Sequence, residues 1–159
     1  MYSTDYERLK KDLHSLLAGE TSWLANLANT AAFIFQELRG INWAGFYLLD
    51  GSELVLGPFQ GKPACVRIAV GNGVCGTAAQ RRQSIVVPDV HKFPGHIACD
   101  PASRSEVVVP MIAADGRLLG VLDVDSPHLE RFGASDSAGL GGLVRILLSS
   151  CRWPGLPPA

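Results

Sequence analysis

Two turn signals, each set between a pair of strand-like runs, constrain the fold of this chain more than any other feature. They are Asp50-Gly51 and Ala114-Asp115-Gly116. The runs that they separate span residues 42–49, 53–57, 106–113 and 118–125. Short glycine-containing turns of this kind connect neighbouring antiparallel strands. Hairpins towards both ends of the chain therefore predict a central, mostly antiparallel sheet.

Helices are predicted on both sides of these hairpins and once between them. They span residues 3–18, 21–39, 74–82 and 134–151, and in the first two the apolar side chains recur at helical spacing. Thr4 and Glu7 form a capping box, which would begin the first helix. Short strands are predicted at residues 66–70 and 84–87, and a loop is predicted at residues 58–64. Hairpins covered by terminal helices are typical of an α+β layer fold.

The composition narrows the classes of function. Hydrophobic residues make up 47% and charged residues 18% of the 159 residues, which argues against disorder and for one domain with a real core. A net charge of −1 without a basic block argues against nucleic-acid binding. The N-terminal segment lacks an apolar signal sequence and no apolar run reaches membrane-spanning length, so we expect a cytoplasmic protein with no membrane contact. We expect the domain to span residues 1–152 and the Pro-rich tail, residues 153–159, to fray.

The segment over residues 87–109 is long, lacks a regular pattern and is dense in reactive side chains. These side chains are His91, His96, Cys99, Asp100, Arg104 and Glu106. Compact domains rarely contain so long a loop unless it is functional or disordered. Val90, Phe93 and Ile97 would let this one pack on the core, so we expect an ordered functional loop. Our hypothesis is that Cys99, at its centre, is a nucleophile.

Three local patterns are similar to motifs of other functions, but the rest of the sequence does not fit those functions. Residues 71–76 match the dinucleotide fingerprint G-x-G-x-x-G, but hairpins around a single crossover do not make the repeated βαβ units of a Rossmann fold. We therefore favour a tight glycine turn there. Residues 99–104 resemble a phosphatase motif but have one residue too few between its cysteine and its arginine. The spacings of His91, His96 and Cys99 fit no standard zinc site, so we predict no metal.

A cluster of carboxyl side chains is predicted on the second hairpin. Asp123 and Asp125 lie two residues apart on a strand and share one face, while Leu122 and Val124 point to the opposite face and suit a core. Glu106 begins the adjacent strand and brings a third carboxyl nearby. Like charges at close range raise carboxyl pKa values, so such a group can stay protonated near neutral pH and act as a general acid. Ionised, the cluster would attract a substrate ammonium; the alternative interpretation is a solvated acidic edge.

The chain has four cysteines, which in a cytoplasmic protein are free thiols, metal ligands or catalytic groups rather than structural disulfides. A thiolate such as that of Cys99 can attack an electrophilic sulfur while a nearby acid protonates the departing oxygen. The resulting sulfenic acid can condense with a second thiol into a disulfide, and Cys65 and Cys75 are both available partners. Cys151, late on the last helix, is interpreted as a small buried hydrophobe.

Several segments of the chain match a known family. They are NWAGFYLL (42–49), GPFQGKPAC (57–65), GVCGTAA (73–79), VPDVHKFPGHIACDPASRSEVVVP (87–110) and GVLDVDSP (120–127). In these segments the chain resembles the free methionine-(R)-sulfoxide reductases, single-domain enzymes of GAF fold. The resemblance implies that Cys99 is the catalytic cysteine, Cys65 the principal resolving cysteine and Cys75 a third cysteine that can also pair with Cys99. It implies a GAF-like sheet flanked by N- and C-terminal helices.

The resemblance also implies a substrate site. Trp43 and Tyr47 would form an aromatic wall against the methylthio end of the substrate, and Glu106, Asp123 and Asp125 would bind substrate and assist catalysis. The implied reaction is the reduction of free methionine-(R)-sulfoxide, with thioredoxin as the reductant and no cofactor. A homodimer through the helices is compatible with the fold. Two alternatives stay open: a non-catalytic GAF module that binds a small ligand, although such a module needs no set of cysteines, and a thiol redox sensor.

Overall fold

The computed structural model describes residues 2–155, which form one six-stranded sheet and its covering helices. The elements are α1 (Tyr6–Leu17), α2 (Trp23–Glu37), β1 (Trp43–Asp50), β2 (Glu53–Gly61), β3 (Arg67–Ala69), α3 (Gly73–Arg81), β4 (Ile85–Val87), a 3-10 turn (Val90–Lys92), β5 (Ser105–Ile112), β6 (Leu118–Ser126) and α4 (Ala134–Ser150). The strand order is β3-β2-β1-β6-β5-β4, and every neighbouring pair is antiparallel. The predicted α+β architecture is therefore confirmed. None of the helices in this part of the chain is long and apolar enough to cross a membrane.

The two faces of the sheet have different roles, because side chains alternate along each strand. On one face Phe46, Leu122 and Val124 are fully buried in a core that they share with α1, α2 and α4. The other face carries Tyr47 and Val121, which pack with residues of α3. The three long helices thus cover the first face. They leave the second face to α3 and to the segment between β4 and β5, residues 88–104, which we call the Cys99 loop.

The second strand is longer than predicted. β2 continues through Gly61, so part of the segment expected to be a loop pairs with β1, with Phe59 opposite Gly45. The register shifts between Gly45 and Tyr47, so that one residue of β1 faces two residues of β2, one of them Pro58. A proline has no N–H to donate and is tolerated at such a bulge, so pairing resumes beyond it.

The first helix does not begin with the predicted capping box. Asp5, rather than Thr4, is the N-cap, and its side chain accepts a 3.0 Å hydrogen bond from the backbone N–H of Arg8. A carboxylate at the N-cap accepts a hydrogen bond from a free amide of the first turn, as a threonine hydroxyl can. It also places a negative charge at the positive end of the helix dipole, so the aspartate is the better cap.

The end of the chain packs further than predicted. Trp153 is only 8% exposed, and its ring centroid lies 6.0 Å from that of Trp23 on α2. The backbone N–H of Arg152 donates a 2.8 Å hydrogen bond to the carbonyl of Thr21. The expectation of a frayed tail does not hold at Trp153, because burial of a large aromatic ring outweighs the entropy of ordering a few residues. The rest of the predicted tail, residues 156–159, lies outside the described residues.

Trp153→Ala tests whether the end of the chain belongs to the packed domain. We expect the free energy of unfolding in urea to fall by about 3 kcal/mol, because the substitution removes a buried indole. Leu16→Ala on α1 is the control: this side chain is 48% exposed, so the loss should stay below about 0.5 kcal/mol. A loss at Trp153 no larger than that of the control would show that the packed domain ends before it.

Candidate active site

The strand register brings the three predicted carboxyls together in the middle of the sheet. Glu106 on β5 lies opposite Asp125 on β6, and Asp123 follows on the same face. On the other side of β6, Trp43 of β1 lies opposite Asp125 and Gly45 lies opposite Asp123. The predicted alternation is confirmed, and β5 and β6 are central strands rather than edges.

Burial makes these carboxyls unusual acids. Glu106 is 5% exposed and Asp123 is 6% exposed, while Asp125 is partly buried. Burial raises the pKa of each carboxyl well above its usual range, and a neighbouring carboxylate raises it further. One oxygen of Asp123 is buried without a hydrogen-bond partner. The solvated acidic edge is therefore the wrong interpretation, and the site favours protonated carboxyls.

Cys99 and Cys65 are joined in a disulfide, with an Sγ–Sγ distance of 2.10 Å and a Cα–Cα distance of 5.5 Å. Cys65 lies just before β3, and Cys99 lies 34 residues later on the Cys99 loop. Cys75, in the first turn of α3, is a buried free thiol whose Sγ lies 3.9 Å from Oε1 of Glu106. Burial, and then the nearby carboxylates, raises the pKa of this thiol. Cys151 is a free thiol in the core on the helix side, as predicted.

The glycine turn at residues 71–76 lets α3 approach the sheet closely. A Cβ atom on Gly76 would lie 2.4 Å from the carbonyl oxygen of Ala69, so only glycine fits there. The described sheet is entirely antiparallel and contains no βαβ unit for a dinucleotide. The turn interpretation is therefore confirmed, and the consequence of the turn is that Cys75 reaches the carboxyl cluster.

Trp43 and Tyr47 lie on the same face as the carboxyls and hold the segment that carries Cys65. The indole of Trp43 stacks on Phe59 with a centroid distance of 5.2 Å and donates a 3.1 Å hydrogen bond to the carbonyl of Lys62. The hydroxyl of Tyr47 donates a 2.9 Å hydrogen bond to the carbonyl of Cys65. Both rings are almost fully buried, and neither lines the cavity at the carboxyls. Their contact with a substrate stays a prediction.

Asn42, which the sequence did not indicate as a site residue, ties the Cys99 loop to the sheet. Its side-chain amide donates hydrogen bonds to Oδ2 of Asp100 and to Oγ of Ser103, both of 3.2 Å. Its backbone N–H donates a 3.0 Å hydrogen bond to the carbonyl of Asp125. These partners are at least 58 residues away along the chain, so no local pattern indicated the contact. The one available signal was a polar residue directly before a buried aromatic strand.

His96 is the second residue whose place only the structure reveals. Its Nε2 atom lies 3.7 Å from Oε2 of Glu106, and burial lowers the pKa of its imidazole. His91 is exposed. Among residues 2–155, the one group with geometry for a metal ion consists of Cys75, Glu106 and Asp123, whose ligand atoms lie within 4.8 Å of one another. Neither histidine belongs to that group.

A cavity of about 40 Å³ lies over the carboxyls. Its reactive lining residues are Cys75, His96, Cys99, Glu106, Asp123 and Asp125. This volume holds a few water molecules but not an amino acid. In the disulfide-bonded form the cavity is therefore too small for a molecule of that size.

Comparison with known proteins identifies the family. The GAF domain family model matches residues 12–145. The free methionine-R-sulfoxide reductase of Escherichia coli (strain K12) is 57% identical over 142 residues, which are 89% of this chain and 86% of that protein. The chain belongs to this family of GAF-domain reductases. The free methionine-R-sulfoxide reductase of Saccharomyces cerevisiae is 45% identical over 152 residues, or 91% of this chain and 84% of that protein.

A solved structure supports the same assignment. The free methionine-R-sulfoxide reductase from Neisseria meningitidis, in complex with its substrate, is 47% identical and superposes with a TM-score of 0.88. The match covers 94% of this chain and 92% of that chain. The GAF fold and the reductase family expected from the sequence are both confirmed.

Asp123→Asn tests the burial of the carboxyl cluster through stability. A carboxyl with a raised pKa in the folded state adds stability that is fully present below about pH 4, the pKa of an unfolded carboxyl, and lost as the pH rises through the folded pKa. The asparagine cannot ionise. We therefore expect the variant to exceed the wild type in free energy of unfolding at pH 8 by about 1 kcal/mol or more, and to match it near pH 4.

Asp115→Asn is the matched control, measured in the same urea titrations. Asp115 is exposed, and its contacts with Arg117 lower the pKa of its carboxyl, so its substitution should give no gain at pH 8. A gain equal to that of Asp123→Asn would contradict the argument, as would an Asp123→Asn variant whose pH dependence matches the wild type.

Proposed function

We propose that this protein reduces free methionine-(R)-sulfoxide to methionine, with Cys99 as nucleophile and the Cys65–Cys99 disulfide as the oxidised product. The observation that supports this most is that disulfide itself, which lies beside a buried carboxyl cluster in a cavity wall. The family members from Escherichia coli and Saccharomyces cerevisiae are both named free methionine-R-sulfoxide reductase.

The first step is attack of the Cys99 thiolate on the sulfoxide sulfur. A protonated carboxyl of the cluster, Glu106, Asp123 or Asp125, gives its proton to the sulfoxide oxygen as methionine leaves. Burial favours this role because it raises the pKa of each carboxyl, so that a proton is still present near neutral pH. The bond between the substrate sulfur and its oxygen breaks and the oxygen, with its proton, passes to Sγ of Cys99, so the substrate is reduced to methionine and Cys99 is oxidised to a sulfenic acid.

The second step closes the disulfide. The Cys65 thiolate attacks the sulfenic sulfur of Cys99, the S–O bond breaks, and the leaving hydroxide takes up the proton that the Cys65 thiol had lost, so that water is released. Cys75 is the slower alternative partner, because burial raises the pKa of its thiol and so lowers the thiolate fraction. The disulfide is then reduced by thioredoxin, which returns both cysteines to the thiol form.

The carboxyls also account for a preference for the free amino acid. One carboxyl of the cluster ionises when a substrate ammonium enters, since a nearby positive charge lowers a carboxyl pKa, while another keeps the proton for catalysis. Trp43 and Tyr47, on the same face, contact the methylthio end once the Cys99 loop has moved. A substrate without the ammonium would leave the ionised carboxyl buried and unpaired, which is unfavourable.

We also propose a cytoplasmic location and a homodimer. A redox-active disulfide together with the free thiols Cys75 and Cys151 suits a reducing compartment. The dimer is supported by the outer face of α2, where Leu24, Ala28 and Phe35 are exposed at helical spacing without an intervening charge.

A panel of cysteine variants tests the reaction, with methionine released from free methionine-(R)-sulfoxide as the measurement. We expect Cys99→Ser to lose at least about 1,000-fold in turnover with dithiothreitol, because the nucleophile is gone. Cys65→Ser should keep more turnover with dithiothreitol, which can reduce the sulfenic acid directly, than with thioredoxin. Cys151→Ala is the control and should match the wild type.

A wild type without turnover would leave a thiol sensor or a ligand-binding module as the function, and full activity in Cys99→Ser would exclude Cys99 as the nucleophile.

N-acetylmethionine-(R)-sulfoxide tests the role of the substrate ammonium. We expect kcat/KM to fall by about 100-fold relative to the free amino acid, the loss typical of a broken desolvated charge pair. The methyl ester of the same sulfoxide keeps the ammonium and should lose much less. Equal kcat/KM for the acetylated and free compounds would refute recognition through the ammonium.

A further inference from the structure

The disulfide lies at the surface between two exposed apolar side chains. Cys65 and Cys99 are both partly exposed. Val66, directly after Cys65, is 62% exposed, more than any other large hydrophobic side chain among the described residues. Ile97, two residues before Cys99, is 37% exposed. Cα atoms of adjacent residues are about 3.8 Å apart, so the backbone of each apolar residue lies within two such steps of a cysteine of the disulfide.

Val66 is held in this exposed position by the backbone. The N–H of Leu56 on β2 donates a 2.9 Å hydrogen bond to the carbonyl of Val66, and the carbonyl of Cys65 accepts the bond from Tyr47. Ile97 rests on Gly73 of α3, since a Cβ atom at that glycine would lie 3.1 Å from the isoleucine side chain. Each of the two exposed apolar residues is therefore held by contacts with a neighbouring strand or helix.

The two cysteines of the disulfide differ in their position relative to the cavity over the carboxyls. Cys99 lines the cavity over the carboxyls, whereas Cys65 does not. An attacking sulfur approaches a disulfide along the S–S axis, on the side away from the leaving sulfur. Cys65 is therefore the sulfur on the side away from the cavity, and attack on it would release Cys99, which lines the cavity.

We propose that Val66 and Ile97 form the docking patch for a dithiol protein of the thioredoxin type, and that this reductant attacks Sγ of Cys65. The inference rests on the proposed function, because it concerns the step that resets the enzyme. Redox encounters use small interfaces, so two apolar side chains around a disulfide suffice for a transient contact. The exchange releases Cys99 next to the carboxyls, where the next sulfoxide is attacked.

Reduction of the Cys65–Cys99 disulfide consists of two thiol–disulfide exchange steps. A thiolate of the reductant bonds to Sγ of Cys65, the Sγ–Sγ bond breaks, and Cys99 leaves as a thiolate. The second thiolate of the reductant then attacks the reductant sulfur of the mixed disulfide and releases Cys65 as a thiolate. The reductant's dithiol is oxidised to a disulfide, the Cys65–Cys99 disulfide is reduced, and the two protons of the dithiol pass to the new thiolates.

Val66→Glu and Val66→Lys test the patch, with turnover of free methionine-(R)-sulfoxide measured as a function of thioredoxin concentration. We expect both variants to raise the KM for thioredoxin at least fivefold, because either charge removes the apolar contact. Turnover driven by dithiothreitol should be unchanged, since a small thiol needs no docking surface. Leu16→Glu, which changes an exposed apolar residue of α1 on the other side of the sheet, is the control and should change neither value.

The attacked sulfur is identified with a thioredoxin variant whose second active-site cysteine is serine. This variant stops at the mixed disulfide, and mass spectrometry of the peptides should find it attached to Cys65. Attachment to Cys99, or an unchanged KM for thioredoxin in both Val66 variants, would overturn the proposal, as would a wild type that turns over with dithiothreitol but not with thioredoxin. If the proposed reductase function itself is wrong, the wild type will show no turnover with dithiothreitol, which distinguishes that outcome from the others.

Discussion

The site depends on the alternation of side chains along β6 at the centre of the sheet. Leu122 and Val124 are fully buried on the side of the long helices, so Asp123 and Asp125 must face the other side. A shift of one residue in strand register would turn the carboxyls into the core and the apolar side chains out of it. The hydrophobic core on the opposite face therefore holds the carboxyls in place.

Burial of the carboxyl cluster lowers the stability of the folded protein. The same burial gives the carboxyls the raised pKa values that acid catalysis needs. Burial is unfavourable for a charged carboxylate, so the folded protein favours the protonated form. An oxygen of Asp123 has no hydrogen-bond partner, and the nearest contact of Glu106 with Cys75 is long, at 3.9 Å. A carboxyl that keeps its proton at neutral pH is what a general acid requires. Stability lost here is a common feature of active sites.

The Cys99 loop connects this acid site to the redox chemistry at the surface. Asn42 anchors the part of the loop that follows Cys99, and the N–H of Val90 bonds to the carbonyl of Arg104 at 2.9 Å to close the loop at its base. Between these anchors, most residues are exposed, and the bond to Cys65 ties the loop down. Reduction removes that tie and leaves the anchors. With that bond in place, the cavity over the carboxyls is too small for an amino acid.

Local patterns in the sequence determined the hairpins, the approximate helices and the alternation that puts two aspartates on one face, because each depends on residues close together in the chain. Only the tertiary structure decided which strands are central, that pairing continues past Pro58, and that Asn42 meets the Cys99 loop. The residues alone left Cys65 and Cys75 as equal partners for Cys99. Packing separates them: α3 turns Cys75 towards the buried Glu106, whereas β2 and Tyr47 hold the Cys65 segment at the surface within a bond length of Cys99. These contacts join distant parts of the chain, so no local pattern encodes them.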